Sequence, residues 1–193
     1  MNTNMIGRTT LLLLAMGALL GLASCGSDIN ESGAPVELVA SFAQQVLVYD
    51  WAPETGCTVG VGTLSVASVT KTTNPDTRFL AVKLSTIRIT YKRTDGGTVV
   101  PPTYVQAMSG TIEPGSSGDL SGMLLFDPNV LRQAPFAALL PENGGRDPET
   151  GKGAITIETK IEVFGETLAG DKVTTSTRFP ISFCYGCGCS TVN

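Results

Sequence analysis

Four cysteines, Cys57, Cys184, Cys187 and Cys189, are the residues of this chain whose type and spacing suit chemistry, three of them within Cys-Tyr-Gly-Cys-Gly-Cys. Three uses compete. Two structural disulfides would suit an even count in an oxidising compartment, with Cys57 tied to the tail so that the last strand is fixed to an early loop. All three connectivities stay open at this point, although a Cys187–Cys189 bridge would close a strained ring. Alternatively, the four thiolates Cys57, Cys184, Cys187 and Cys189 would ligate a soft metal ion or an iron–sulfur cluster. The third use is redox chemistry at Cys184-x-x-Cys187, which gains reactivity from a helix N-terminus. The expected neighbour here is a strand, so redox chemistry is not expected, and no histidine follows to complete a haem attachment.

The chain has no histidine anywhere. That removes Ser–His and Cys–His nucleophilic pairs and imidazole general-base catalysis. Carboxylate chemistry is left to Glu142, Asp147, Glu149, Glu158, Glu162 and Glu166. Alternation along their strand aims Glu158 and Glu162 at solvent. Asp147-Pro148-Glu149-Thr150-Gly151 places two carboxylates in a glycine-bearing loop. Its composition suits Ca²⁺, but its spacing matches no established loop pattern. The glycines of Cys57-Thr-Val-Gly-Val-Gly-Thr lack the Lys-Ser/Thr ending of a phosphate loop. Trp51, the only tryptophan, ends an apolar run beside Tyr49; it is expected as a core or loop anchor, with a binding hot spot as the alternative. No catalytic residue and no cofactor are expected.

The elements that must position these residues are strands. From Val36 onward Thr, Val, Ile, Ser and Gly dominate, with turn residues at short intervals. Residues 155–163 alternate strictly, Ile155, Ile157, Thr159, Ile161 and Val163 on one side and charged or polar residues on the other, as a half-buried strand requires. Val173, Thr175, Thr177, Phe179, Ile181 and Phe183 share a face of a second strand, joined to the first by a hairpin loop over 165–172. Pro180 cannot donate a ladder hydrogen bond and predicts an edge or a bulge there. Residues 82–91 alternate with a slip near Ser85-Thr86, which predicts a β-bulge. Residues 46–49, 63–69 and 120–126 are further strand candidates, the first expected to be covered on both sides, the last interrupted by Gly122. Pro135 limits any helix within 128–140 to two short pieces. Pro101-Pro102 reads as a connection, and 141–153 as a surface loop. The expected fold class is all-β: one antiparallel two-sheet sandwich over residues 36–193. A small open barrel would produce the same alternation.

The segment Ile161-Glu-Val-Phe-Gly-Glu-Thr-Leu-Ala-Gly-Asp-Lys-Val-Thr-Thr-Ser-Thr-Arg-Phe-Pro-Ile-Ser-Phe183 resembles the terminal strand pair of immunoglobulin-like or fibronectin-type-III-like domains of bacterial surface proteins. Ahead of it all, a polar start carrying Arg8 precedes an apolar run over 11–22. At about a dozen residues that run is too short for a permanent membrane span and has the layout of an export signal. Its end, Leu22-Ala23-Ser24-Cys25, resembles the lipobox of bacterial lipoproteins. The resemblance implies cleavage after residue 24 and a thioether-linked diacylglycerol on Cys25, the only covalent group expected. Residues 25–35 then form a lipidated, flexible tether. In Gram-negative lipoproteins an Asp directly after that cysteine favours the inner membrane. Gly26 and Ser27 stand here, so the resemblance implies the outer membrane of a bacterial cell envelope.

Cleavage leaves about 170 residues, enough for one core. With 13 basic and 17 acidic residues the chain carries a net charge of −4. That balance argues against a nucleic-acid partner, which would call for a basic stripe, and leaves the acyl chains to hold the protein to its membrane. A protein or carbohydrate partner in the envelope, or a structural role there, is the expected function. A metal- or redox-handling envelope protein using the tail cysteines is the alternative.

Overall fold

The computed structural model describes residues 33–42, 47–54, 63–73 and 77–188. Within them eight strands form two sheets. The smaller has the order β1 (Val36–Phe42), β3 (Leu64–Thr70), β6 (Ser117–Leu120), all antiparallel. The larger has the order β2 (Leu47–Asp50), β8 (Lys172–Cys184), β7 (Ala154–Thr167), β4 (Val82–Arg93), β5 (Tyr104–Ile112), and is strongly curled into a half-barrel. The all-β, two-sheet expectation therefore holds. One pair departs from the antiparallel expectation: β2 runs parallel to β8, Leu47 opposite Ile181 and Asp50 opposite Cys184.

Alternation explains the long strands. On β7 every second residue from Ile155 to Thr167 is buried, so the pattern outlasts the expected strand by two pairs. Gly165, expected in the hairpin loop, lies inside the strand. A Cβ there would stand 2.8 Å from Val82 Cγ1 and 3.0 Å from the Lys83 carbonyl oxygen, so only glycine lets β7 approach β4 this closely. The turn itself occupies 168–171, with Gly170 at φ +96. On β4 the predicted bulge is present in both of its ladders, between Leu84 and Thr86. It resets the phase so that Leu84 and Ile87, three apart, both face the core. Pro180 sits where β2 has not yet begun to pair with β8, an edge position as expected.

The core joins Val36, Leu38, Leu64 and Val66 of the small sheet to Ile89, Ile157, Ile161 and Phe183 of the large one. Residues 120–126 do not form the strand expected of them. β6 ends at Leu120, Gly122 adopts φ +71, and Met123, Leu125 and Phe126 reach the core from an irregular segment. The helical candidate is two 3-10 turns, Pro128–Arg132 and Phe136–Leu139, separated at Pro135 as predicted. Their Phe136 lies 4.4 Å from Phe183, ring centre to ring centre, and seals that end of the core. The 46–49 candidate is a short edge strand with Val48 and Tyr49 half-buried, not one covered on both sides.

Candidate functional site

Two polar clusters hold the residues singled out by sequence, and both are built around a buried charge. The first lies at the C-terminal tail. The parallel β2–β8 register brings Asp50, the last residue of β2, beside Cys184, the last of β8. The Asp50 carboxylate is fully buried and accepts hydrogen bonds from the backbone N–H groups of Ala52 (3.0 Å), Gly186 (2.9 Å) and Gly188 (2.8 Å). Gly186 and Gly188 sit at φ +72 and +74, a left-handed conformation that glycine adopts without steric cost. The alternating glycines of the tail thus turn their amides onto one carboxylate. Such charge-assisted bonds offset the cost of burying it.

The same turn carries a disulfide between Cys184 and Cys187, with Cα atoms 6.0 Å apart. Cys184 is buried, with its Sγ 3.9 Å from the Tyr49 carbonyl oxygen, and Cys187 is exposed. Cys25, Cys57 and Cys189 lie outside the described residues, and with them the lipidation site and the expected bridge from Cys57 to the tail. Trp51 packs beside this turn against Tyr49, Phe136 and Tyr185, with ring centres 6.0–6.3 Å apart. It packs against the core, as expected, and its contact with Tyr185 ties the tail there too.

The second cluster surrounds Arg93 at the end of β4, whose side chain is 1% exposed. Alternation puts Arg93 on the same face as Ile87 and Ile89, pointing inward, so its charge must be met by acids. Asp95 meets it twice, at Nε (2.7 Å) and Nη2 (2.9 Å). Asp147 Oδ2 lies 2.7 Å from Nη2, and Glu149 Oε2 lies 3.5 Å from Nη1. Gly97 forms the floor: a Cβ there would fall 2.3 Å from the guanidinium carbon. Asp95 also accepts from the amides of Gly97 and Thr156, and Asp147 from the amide and hydroxyl of Thr150. Glu149 accepts from the amides of Thr98 and Val99 and from the Thr98 hydroxyl.

The electrostatics follow from these contacts. Burial would raise the Asp95 carboxyl, but the Arg93 guanidinium and two amides overcome it and hold the group down to about 2. Asp147 is lowered in the same way, burial being outweighed by Arg93 and Thr150. Glu149 is lowered chiefly by the Thr98 hydroxyl and the two amides. Burial works against the Arg93 charge, yet its acids raise it further.

Asp147 and Glu149, weighed in the sequence as a Ca²⁺ loop, instead converge on a guanidinium and on loop amides. Glu158 and Glu162 occupy the outward positions of β7, and Glu162 pairs with Arg88 (2.9 Å) and Lys160 (3.1 Å). Glu142 is exposed in the 3-10 turn Pro141–Asn143. Among the described residues no three His, Cys, Asp or Glu side chains are grouped to hold a metal ion. Sequence reasoning missed Asp50 and Arg93. The glycine at every second tail position was a signal for the first, and an arginine in phase with Ile87 and Ile89 was a signal for the second.

No protein-family model matches the chain, and no curated protein matches it. Among solved structures it is similar to that of Spo0M, a sporulation control protein from Bacillus subtilis, at 10% identity and a TM-score of 0.30, over 77% of this chain. The match spans about half of Spo0M, 49% of that chain. A likeness at that level carries no argument about this chain's fold or role.

Proposed function

We propose that the protein is a lipid-anchored bacterial envelope protein whose single β-domain, read as immunoglobulin-like, has a non-catalytic binding or structural role. In this reading residues 1–24 direct export, acyl chains on Cys25 hold the protein to a membrane, the outer one by resemblance, and 25–35 tether the domain beside it. One observation carries the non-catalytic part: the buried charged groups of the domain, Asp50, Arg93, Asp95 and Asp147, are spent on fastening loops and the tail. A guanidinium gripped by carboxylates, and carboxylates gripped by it and by loop amides, fasten structure and are poor candidates for proton transfer. The partner in this reading is a protein or carbohydrate of the envelope. Cys187, an exposed residue bonded to the buried Cys184, is what favours the second reading, a redox- or metal-handling tail.

The anchor is tested by palmitate labelling and fractionation of wild type and Cys25→Ala. Label and membrane attachment are expected in the first and absent from the second; soluble, unlabelled wild type overturns the anchor. In the same membranes, alkylation before reduction is expected to leave Cys57, Cys184, Cys187 and Cys189 unmodified. Free tail thiols would replace the binding reading with the redox or metal one.

A further inference from the structure

At the turn end of the β7–β8 hairpin the outer face of the larger sheet is hollowed into an open cleft of about 640 Å³. Its walls include Lys83 and Ser85 of β4, Phe164 and Glu166 of β7, Leu168 of the turn and Lys172 of β8. Two features already described shape it. Gly165, without a side chain, draws β7 against β4, and alternation turns Lys83 and Ser85 outward before the bulge resets the phase to bring Ile87 inward. The Ser85 hydroxyl donates to the Phe164 carbonyl oxygen (3.2 Å) and holds the bulge to β7.

Lys83 lies opposite Glu166, and Glu166 opposite Lys172, so the cleft carries two ammonium groups to one carboxylate. Among the described residues neither lysine has an ion-pair partner within 4.0 Å, whereas Arg88 and Lys160, further along the same face, share Glu162. The whole face leans the same way. Lys83, Arg88, Lys92, Lys160, Lys172 and Arg178 stand there against Glu158, Glu162 and Glu166, although the chain as a whole is acidic. Beside the lysines the cleft offers apolar surface: Leu168 is 57% exposed, and the Phe164 ring lies half-buried in the wall with the Arg88 guanidinium carbon 5.0 Å from its centre.

We propose that this cleft binds a small anionic amphiphile, its phosphate or carboxylate held by the Lys83 and Lys172 ammonium groups that flank Glu166, their two charges outweighing its one, and its hydrocarbon laid on Phe164 and Leu168. Charge complementarity selects the head group, and burial of apolar surface selects the tail. The inference rests on the reading of the domain as a binding module, whose ligand class it names, and is independent of the anchor.

The test is titration of the intact protein, in a nonionic detergent, with hexyl phosphate, hexanol and inorganic phosphate, followed by saturation-transfer NMR. Hexyl phosphate is expected to bind about tenfold more tightly than inorganic phosphate, and hexanol not detectably. The double variant Lys83→Gln/Lys172→Gln should lose about tenfold or more in affinity, and Leu168→Ser should weaken hexyl phosphate but not inorganic phosphate. The control Lys92→Gln/Lys160→Gln removes the same charge from the same face outside the cleft and should change affinity less than about twofold. No binding of hexyl phosphate, equal binding of hexanol or of inorganic phosphate, or equal losses in the two double variants would each overturn the cleft. The anchored-binding reading would survive those results, since it fails only by the labelling and alkylation outcomes above.

Discussion

Lys83 stands near one end of β4 and Arg93 at the other, and the protein treats these two basic residues oppositely. Lys83 faces outward into an open cleft and, among the described residues, has no ion-pair partner; Arg93 faces inward and is enclosed by Asp95, Asp147 and Glu149. The strand is the same, so the difference comes from which side of the sheet each residue takes. A cation turned toward the core must bring its counter-ions with it, because the low-dielectric interior multiplies the cost of leaving it bare. A cation on the outer face is solvated and stays available to a ligand. Arg93 is therefore a structural device, and Lys83 a recognition one.

The widest separation between the two ends is expected in stability. Arg93→Ala leaves Asp95 and Asp147 buried without their counter-ion and should cost about 3–5 kcal/mol, whereas Lys83→Ala should fall within about 0.5 kcal/mol of wild type. Urea unfolding of both variants measures this, and similar midpoints would erase the distinction. Asp50→Ala comes next. It strands the amides of Gly186 and Gly188 around a vacated carboxylate, for about 2–3 kcal/mol, and should raise the rate at which the Cys184–Cys187 disulfide is reduced. An unchanged reduction rate would mean that the disulfide holds the tail without the carboxylate.

The smallest effect is read in pH. Asp95 and Asp147 have folded-state values below the ordinary 3.8, Asp95 at about 2. Depressed carboxyls add stability that is fully present above the unfolded-state value and is lost as pH falls through the folded one. The urea midpoint of wild type should therefore decline between about pH 4 and pH 2, and Asp95→Asn should flatten that decline. Lys83→Gln should leave the slope as it is. A slope untouched by Asp95→Asn would place the acid sensitivity elsewhere.

Much of the scaffold was legible because it is written in local periodicity. The alternation of residues 155–163 named β7 and its buried face, the slip at Ser85-Thr86 named the bulge, and Pro135 divided the 3-10 turns. Those signals depend on neighbours one or two positions away. The strand expected over 120–126 failed for the opposite reason. Its apolar residues are needed by the core but not in a ladder, and Gly122 turns the chain out of the sheet. Gly165 misled in turn, since a glycine that permits close packing reads in sequence like one that makes a turn.

The sequence by itself determined the all-β class, the face that each long strand buries, and the absence of any imidazole chemistry. It also marked the tail cysteines as disulfide candidates. Only the tertiary structure decided that β2 would lie parallel to β8 and so set Asp50 against the amides of Gly186 and Gly188, 136 and 138 residues away. The same holds for Arg93 and Asp147, 54 residues apart. Periodicity specifies which side a residue takes. Which distant partner it meets depends on strand order and register, and those follow from burying the whole set of apolar faces at once.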